Sequence, residues 1–297
     1  MKREKMKYVL LVMVGLIWGS QYVLNDIILV SFTPLGLTAL RMFIGFLTLS
    51  FLILLIPSER KKRLNLNPSL LKLLLIVGIT EAAVPFTFIA FGQTQLSSSM
   101  AAIILGVIPM ITIVLHSLVL KTHRITKAEV IGMSLAFFGL LVLINPNAQS
   151  LEGSLLGYVA LFIAATSFAI SFIYMDKIPH ELSALHVSRF VLMVYSIPFV
   201  VLWWFTNDKV IPTEPSVWGT LVLLGAFASG FIYVLYIKLV RLAGPTFASL
   251  SNYIVPLSGT FLGVFILSEP FTSNIAIALG LITCSLVIIN LKKKNEN

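Results

Sequence analysis

One carboxyl side chain, that of Glu81, lies near the middle of an apolar run that extends from about residue 70 to residue 92. At membrane depth an unpaired carboxylate is costly unless it is protonated or paired, so a carboxyl there is a hypothesis of function by default. Such a group can bind a proton on one side of a membrane and release it on the other. The alternative is a protonated or hydrogen-bonded carboxyl that only packs between helices.

Two arginines, Arg41 and Arg189, lie one or two helical turns inside other apolar runs. A guanidinium at such a position can bind a carboxylate bidentately, or it can pair with Glu81 or Asp26. The alternative is a long basic side chain that extends to the lipid headgroups. Arg41 is the stronger candidate, because it lies about two turns in and on the side of the membrane with few basic residues.

Four further side chains are candidates to line a cavity. Trp18 and Gln21 lie near the middle of the first apolar run, less than one helical turn apart, and would supply an aromatic ring and an amide if they face inward. Asn252 and Tyr253 precede Pro256, a helix-kinking residue, and are placed to hydrogen-bond a small molecule. Ordinary contacts between helices are the alternative for both pairs.

No residue pattern predicts catalysis or a bound cofactor. The sequence has no H-E-x-x-H motif, no P-loop, no paired aspartates and no plausible serine–histidine or cysteine–histidine arrangement at membrane depth. Its single cysteine, Cys284, lies in an apolar run, so neither an internal disulfide nor a thiol metal site can form. We therefore expect a protein that is not an enzyme and that needs no cofactor or metal.

The composition explains where these candidates lie. Of the 297 residues, 58% are hydrophobic and 11% are charged, against about 25% charged in an ordinary soluble domain. Apolar stretches long enough to cross a bilayer recur along nearly the whole chain, with short polar breaks. We predict an all-α integral membrane protein with about ten transmembrane helices. These lie near residues 8–27, 34–56, 70–92, 98–119, 128–145, 154–175, 185–205, 216–240, 246–267 and 273–291.

The distribution of lysine and arginine predicts the orientation. If the amino terminus is cytoplasmic, the cytoplasmic segments hold 18 of the 21 basic residues and the external segments hold only Lys209. Cytoplasmic loops retain basic residues, so both termini are expected in the cytoplasm of a bacterial cell with the chain in its membrane. The net charge of +9 therefore indicates topology, and we expect no nucleic-acid partner.

The two halves of the sequence are similar. Small residues lead into Pro109 and again into Pro256, which are 147 residues apart, and Arg41 and Arg189 are 148 residues apart. An odd number of helices in each half inserts the second half upside down relative to the first. We therefore predict two inverted-topology five-helix repeats, residues 1–147 and 148–297, an arrangement that suits alternating access.

Taken together, these features resemble the EamA-type family of the drug/metabolite transporter superfamily, over nearly the whole chain. The matching residues are Gly15–Ser20, Pro34–Arg41, Gly78 with Phe91 and Gly92, the small residues before Pro109 and Pro256, and Leu267–Thr272. In the first half, Thr122 or His123 replaces the acidic residue that Glu269 supplies in the second. The resemblance implies export of amino acids, related metabolites or drugs in bacteria, and transport of nucleotide sugars or organic acids in other branches.

We expect a secondary active transporter, an exporter of amino acids or related small metabolites that works by alternating access with proton coupling. The alternatives are an uncoupled channel or facilitator for small metabolites, and a multidrug efflux carrier. The expected partners are a small-molecule substrate and the lipid bilayer. Because short loops leave little surface for another protein, we expect a monomer or a weak homodimer.

Overall fold

The computed structural model describes residues 2–118, 125–144, 151–175, 177–179, 181–206, 211–248 and 251–295. These residues form helices and connecting turns, with no β-strand among them. The α-helices are α1 (Lys2–Leu29), α2 (Pro34–Leu55), α3 (Pro57–Arg60), α4 (Pro68–Gly78), α5 (Val84–Gln93), α6 (Ser98–Leu105), α7 (Ile108–Leu118), α8 (Lys127–Ile144), α9 (Leu151–Met175), α10 (Ala184–Trp204), α11 (Pro215–Leu223), α12 (Ile232–Ala248), α13 (Ser251–Ile266) and α14 (Ser273–Asn295). Two π-helical segments, π1 (Ile79–Ala83) and π2 (Leu224–Phe231), join α4 to α5 and α11 to α12.

Seven helical stretches in the described part of the chain are long and apolar enough to cross a membrane. They are Lys5–Leu29, Pro34–Leu55, Pro68–Gln93, Ser98–Leu115, Leu155–Met175, Ala184–Trp204 and Pro215–Leu239. Two shorter apolar helices, Ile254–Ile266 and Ser273–Ile289, follow them. The all-helical fold is confirmed for the described residues, and the number of ten membrane crossings stays a prediction.

Capping residues and prolines determine where the helices begin. Thr33 and Asn67 accept hydrogen bonds from the backbone N–H groups of Gly36 and Leu70, at 3.2 and 2.8 Å. Each cap is followed by a proline at the first helical position, where the missing N–H costs no helical hydrogen bond. Since lipid offers no hydrogen bonds, helix ends near it must be satisfied in this way within the protein.

Two predicted helices differ from the structure in detail. The stretch predicted as one helix over 98–119 forms one apolar span from Ser98 to Leu115, but it contains a two-residue turn, because α6 ends at Leu105 and α7 begins at Ile108. Pro109, at the second position of α7, has no N–H to donate to an α6 carbonyl, which favours the break. The helix predicted to end near residue 240 continues to Ala248, because helical hydrogen bonding extends beyond the point where the apolar pattern stops.

The helices pack in pairs that join distant parts of the sequence. Helix α1 contacts α12 and α13, α2 contacts α10 and π2, α5 contacts α9, and α8 contacts α14. Many large apolar side chains remain exposed on the outer surfaces of these helices, among them Phe51, Phe137 and Phe265. A soluble protein of this size rarely exposes so much apolar surface, so the outer surface fits lipid.

The contact between α1 and α13 depends on small residues. A Cβ atom at Gly19 would lie 1.8 Å from Ser258 Oγ and 3.0 Å from the backbone oxygen of Val255. The hydroxyl of Ser258 also donates a hydrogen bond to the C=O of Gly15, at 3.2 Å. The two helices therefore approach so closely that α1 has no room for a side chain at this position.

Replacing Gly19 with Val should lower the midpoint of thermal unfolding in detergent by several degrees. Overpacking of this kind costs about 1 to 3 kcal/mol, since the α13 backbone must move. Size-exclusion chromatography after heating measures the midpoint. Gly280→Val is the matched control, because a Cβ at Gly280 meets no described atom within 4 Å. Equal midpoints for the two variants would show that α1 and α13 are not in close contact.

Candidate functional site

A cavity lies between α1, α9, π1 with the start of α5, π2 with the start of α12, and the first turns of α13, beside the break between α6 and α7. Its volume, counted as the space open to the centres of water molecules, is about 80 Å³. One water needs roughly 10 to 15 Å³ on this measure, so the cavity has room for several waters or a small organic molecule. Its aromatic lining residues are Trp18, Tyr22, Phe86, Phe168, Phe172 and Tyr233.

The structure brings most of the predicted site residues to this cavity. Trp18, Gln21, Glu81 and Asn252 all line it, from three separate regions of the sequence. Arg41 does not line the cavity and lies behind its wall. The side chain of Tyr253 lies outside the described part of the structure.

Glu81 reaches the cavity from π1, a segment whose backbone the sequence forces to widen. Pro85 has no N–H to donate, and the N–H of Val84 bonds to the C=O of Ile79, five residues back. Such π-helical turns are rare, and they occur often at functional sites. The widened turn therefore places a carboxyl in the cavity wall, at the middle of the apolar stretch Pro68–Gln93.

The carboxyl of Glu81 is incompletely paired. Its Oε2 atom is buried and accepts no hydrogen bond from a described residue. The hydroxyl groups of Ser171 and Tyr233 lie near this carboxyl. Without a fixed cation beside it among the described residues, Glu81 can respond to whatever enters the cavity, by binding either a proton or a positively charged group.

Arg41 is held behind the cavity by neutral acceptors and an aromatic ring. It is only 1% exposed. Nε donates to Ser229 Oγ at 3.1 Å, and the two terminal nitrogens donate to Gln21 Oε1 at 3.1 Å and Asn25 Oδ1 at 3.4 Å. Its Cζ lies 3.9 Å from the ring centroid of Phe86, a cation–π distance.

No ion pair joins Arg41 to a carboxylate in the described part of the chain, where the recorded salt bridge is Lys62 to Glu59. The pairing of Arg41 with Glu81 or Asp26, one alternative from the sequence, is therefore not present. Among the described residues, three hydrogen bonds and the Phe86 ring balance the charge of Arg41. This arrangement is costly to bury, which favours a role for the guanidinium other than stabilisation.

Arg41 determines the direction of the amide groups around it. A guanidinium only donates hydrogen bonds, so the amide oxygens of Gln21 and Asn25 face Arg41 and their NH2 groups face away. Asn25 Nδ2 then donates to Gln93 Oε1 at 2.9 Å, and Gln93 Nε2 donates to the C=O of Tyr22 at 2.7 Å. Gln21 and Tyr22 both line the cavity, so the NH2 group of Gln21, which faces away from Arg41, can donate a hydrogen bond there. The α1 wall therefore offers a hydrogen-bond donor, opposite in character to the acceptor Glu81.

Sequence reasoning missed several residues of this site. Tyr22 and Asn25 follow Trp18 at spacings of four and seven, so they share one helical face with Trp18 and Gln21, and that spacing identifies them. Ser229 gave no such signal, because it is a single hydroxyl 188 residues from Arg41. Only the folded chain brings it to the guanidinium.

The fold and the cavity define an all-helical protein with an apolar outer surface and a polar centre. The family model of the EamA-like transporter family matches residues 5–145 and again residues 155–291. The chain belongs to this family and is a multi-pass membrane protein.

Relatives of similar length are known from bacteria and archaea. The chain is 25% identical to the uncharacterized transporter YoaV of Bacillus subtilis, over 93% of this chain and 94% of the relative. It is 24% identical to an uncharacterized transporter of Archaeoglobus fulgidus, over 97% and 99% of the two chains. It is 25% identical to the uncharacterized inner membrane transporter YedA of Escherichia coli K12, over 94% and 88%. One solved crystal structure shares the fold, with a TM-score of 0.69 over 98% of each chain at 17% identity.

Proposed function

We propose that the protein is a secondary active transporter that exports amino acids or related small metabolites in exchange for protons, by alternating access. The observation that carries this proposal is the buried, incompletely paired carboxyl of Glu81 in the wall of the central cavity. Membership of a transporter family and the names of the relatives support it. The chain would act without a cofactor and without catalysing a reaction, as a monomer or weak homodimer in the bilayer.

Coupling between proton and substrate transport follows because both compete for the carboxyl group of Glu81. A proton and the ammonium group of a substrate are both stabilised by the carboxylate of Glu81, and both cannot occupy it at once. When the cavity opens outward, an incoming proton displaces the substrate. When it opens to the cytoplasm, a substrate displaces the proton. Each turn of the cycle therefore exchanges one for the other.

The polar groups of the cavity also determine the orientation of a bound substrate. Glu81 attracts a cationic or donor group, whereas the NH2 of Gln21 requires an acceptor such as a carboxylate or carbonyl. The aromatic walls contact the apolar body of the molecule. Amino acids and their close derivatives carry this combination of groups. In this scheme Arg41 is a positioning residue, because it acts on the substrate through Gln21.

The two π-helical segments support the proposed inverted repeat. The spacing of 147 residues between Pro109 and Pro256 relates Glu81 in π1 to Ala228 in π2, and both residues line the cavity. Equivalent backbone distortions in the two halves would give each half a flexible point beside the substrate. We include in the proposal ten membrane crossings, repeats over residues 1–147 and 148–297, and two cytoplasmic termini.

Transport by the purified protein in proteoliposomes tests the proposal. Labelled amino acids and related metabolites are screened with and without a pH gradient of about one unit, and with unlabelled compound on the opposite side. We expect one compound class to show flux that responds to the pH gradient. Unlabelled substrate on the opposite side should accelerate this flux, because the binding site of an alternating-access carrier reorients faster when it is occupied.

The same assay separates the alternatives. Flux that ignores the gradient and shows no acceleration would indicate a channel or facilitator. Gradient-dependent flux of a lipophilic cation such as tetraphenylphosphonium, without flux of amino acids, would indicate a multidrug carrier. Absence of flux for every compound would contradict the proposed function.

A further inference from the structure

The carboxylate of Glu269, in the turn between α13 and α14, binds the first turn of α6. Its Oε1 atom accepts a hydrogen bond from the N–H of Ser98 at 2.7 Å, and Oε2 accepts one from the N–H of Ser99 at 3.0 Å. Oε2 also accepts a hydrogen bond from the hydroxyl of Ser99. Hydrogen bonds to a carboxylate are stronger than neutral ones, and the positive end of the α6 dipole adds to them.

The local backbone is built to allow this contact. Ser268 has a φ angle of 55°, a left-handed conformation that folds the chain back so that Glu269 faces α6. The N–H of Glu269 donates to the C=O of Gly263 at 3.3 Å. A Cβ at Gly263 would lie 2.5 Å from Ser99 Oγ and 2.6 Å from Glu269 Oε2. The left-handed backbone at Ser268 and the absence of a side chain at Gly263 therefore leave room for this carboxylate contact.

A second carboxylate contact involves Glu59, which follows α2 and is 8% exposed. Its carboxylate accepts hydrogen bonds from the hydroxyl of Ser183, just before α10, and from Lys62 Nζ at 2.6 Å. Its backbone C=O accepts a hydrogen bond from His186 Nε2 at 3.1 Å. Burial alone would raise the pKa of Glu59, but the hydrogen bonds from Lys62 and Ser183 hold this pKa below its usual value. The group is therefore charged at neutral pH.

The two contacts lie at opposite faces of the protein. Asp26, near the end of α1, interacts electrostatically with Glu269, so Glu269 lies at the face where α1 ends. Helix α2 starts at that face and crosses to the other, where Glu59 follows it. Each contact also joins opposite halves of the sequence, Glu269 to Ser98 and Glu59 to Ser183. The central cavity lies between the two contacts.

We propose that Glu269 and Glu59 are latches at the two faces, and that the cavity opens to a face only when the carboxylate at that face releases its serine partner. Both latches are engaged in this structure. The inference rests on the proposed transport by alternating access, because a carrier must open to one face while the other stays closed. In the predicted orientation, Glu269 is the external latch and Glu59 is the cytoplasmic one.

Accessibility of the cavity to a small, membrane-impermeant methanethiosulfonate reagent tests this inference without a substrate. Asn252→Cys supplies the target in a Cys284→Ser background, and intact cells and inside-out vesicles expose the two faces. Glu269→Gln should raise the rate of labelling from its own face by about tenfold, and Glu59→Gln should do the same from the opposite face. Glutamine keeps the shape of glutamate but has no charge, and its NH2 cannot accept the N–H of Ser99.

Two exposed carboxyls provide matched controls, Glu214→Gln at the predicted external face and Glu181→Gln at the cytoplasmic face, and neither should change the rate. Ser99→Ala removes only the hydroxyl bond, so it should act in the same direction as Glu269→Gln with a smaller effect. It replaces Glu269→Gln if that variant does not fold.

Three results would overturn the inference. If the Asn252→Cys thiol reacts at the same rate in every latch variant, the latch proposal is wrong, whereas the proposed transport is not contradicted. Equal acceleration from both faces by one latch variant would show that the contact stabilises the whole fold. A thiol that never reacts, from either face in any variant, would overturn the latches and the proposed carrier together.

Discussion

A Glu81→Gln variant should insert and fold normally but lose the dependence of transport on the pH gradient. The Oε2 atom of Glu81 accepts no hydrogen bond from a described residue, so an amide of the same shape breaks no described contact at that atom. The amide cannot bind and release a proton near neutral pH. For one-for-one exchange, a gradient of one pH unit supports up to about a tenfold concentration ratio of substrate. In the variant this ratio should fall to one.

The measurement is substrate accumulation in proteoliposomes with an imposed pH gradient, at matched protein abundance. Glu214→Gln, which changes an exposed carboxyl outside the cavity, is the control and should retain the full ratio. Exchange of labelled for unlabelled substrate needs no proton transfer, so it should persist in the Glu81→Gln variant at saturating substrate, with a raised KM because the ammonium group has lost its carboxylate partner. An unchanged accumulation ratio would assign Glu81 to helix contacts alone.

The candidate site was predictable where one polar residue interrupts an apolar run. At mid-membrane depth such a side chain has few stable places other than the interior of the bundle. Glu81 and Gln21 are of this kind, and both line the cavity. Trp18 could be included because it is within one helical turn of Gln21. The all-helical fold was predictable for a related reason, since in lipid an apolar chain must satisfy its own backbone hydrogen bonds.

The rest of the site depends on contacts between distant segments. Ser229 reaches Arg41 only because π2 packs against α2, and no local pattern indicates this. The sequence also could not predict that Arg41 lies behind the cavity wall. It indicates how deep Arg41 lies in the membrane, but not which residues contact it. The contact made by Glu269 also depends on a distant segment, because its partner Ser99, in the first turn of α6, is 170 residues away.

The similarity of the two halves is incomplete at the cavity, and this has a physical consequence. At the predicted repeat spacing of 147 residues, Glu81 in the first half aligns with Ala228 in the second, so only the first half carries a proton-binding side chain at that position. The second half instead supplies Ser229, which holds Arg41. Proton coupling and the orientation of the substrate would thus be divided between the halves, although both halves have a π-helical segment there.

Replacing Arg41 with Met should destabilise the protein by about 2 to 4 kcal/mol. The change leaves the buried oxygens of Ser229, Gln21 and Asn25 without the donor that they now share. Each unsatisfied buried acceptor costs about 1 to 3 kcal/mol, and relief of a buried charge offsets part of the sum. Arg189→Met is the control and should cost little, since Arg189 makes no hydrogen bond or ion pair with a described residue. The midpoint of thermal unfolding in detergent measures both effects.

The transport kinetics of the surviving Arg41→Met protein separate a positioning role from a structural one. If Arg41 acts through the amide of Gln21, its loss should raise the KM of the transported compound about tenfold, because the NH2 of Gln21 is then free to turn away. In a Gln21→Met background the same change should leave the KM unaltered, since the group that Arg41 positions is already absent. An equal rise of KM in both backgrounds would show that Arg41 acts on the cavity by another route. A reduced amount of active protein with a normal KM would make Arg41 a stabilising residue only.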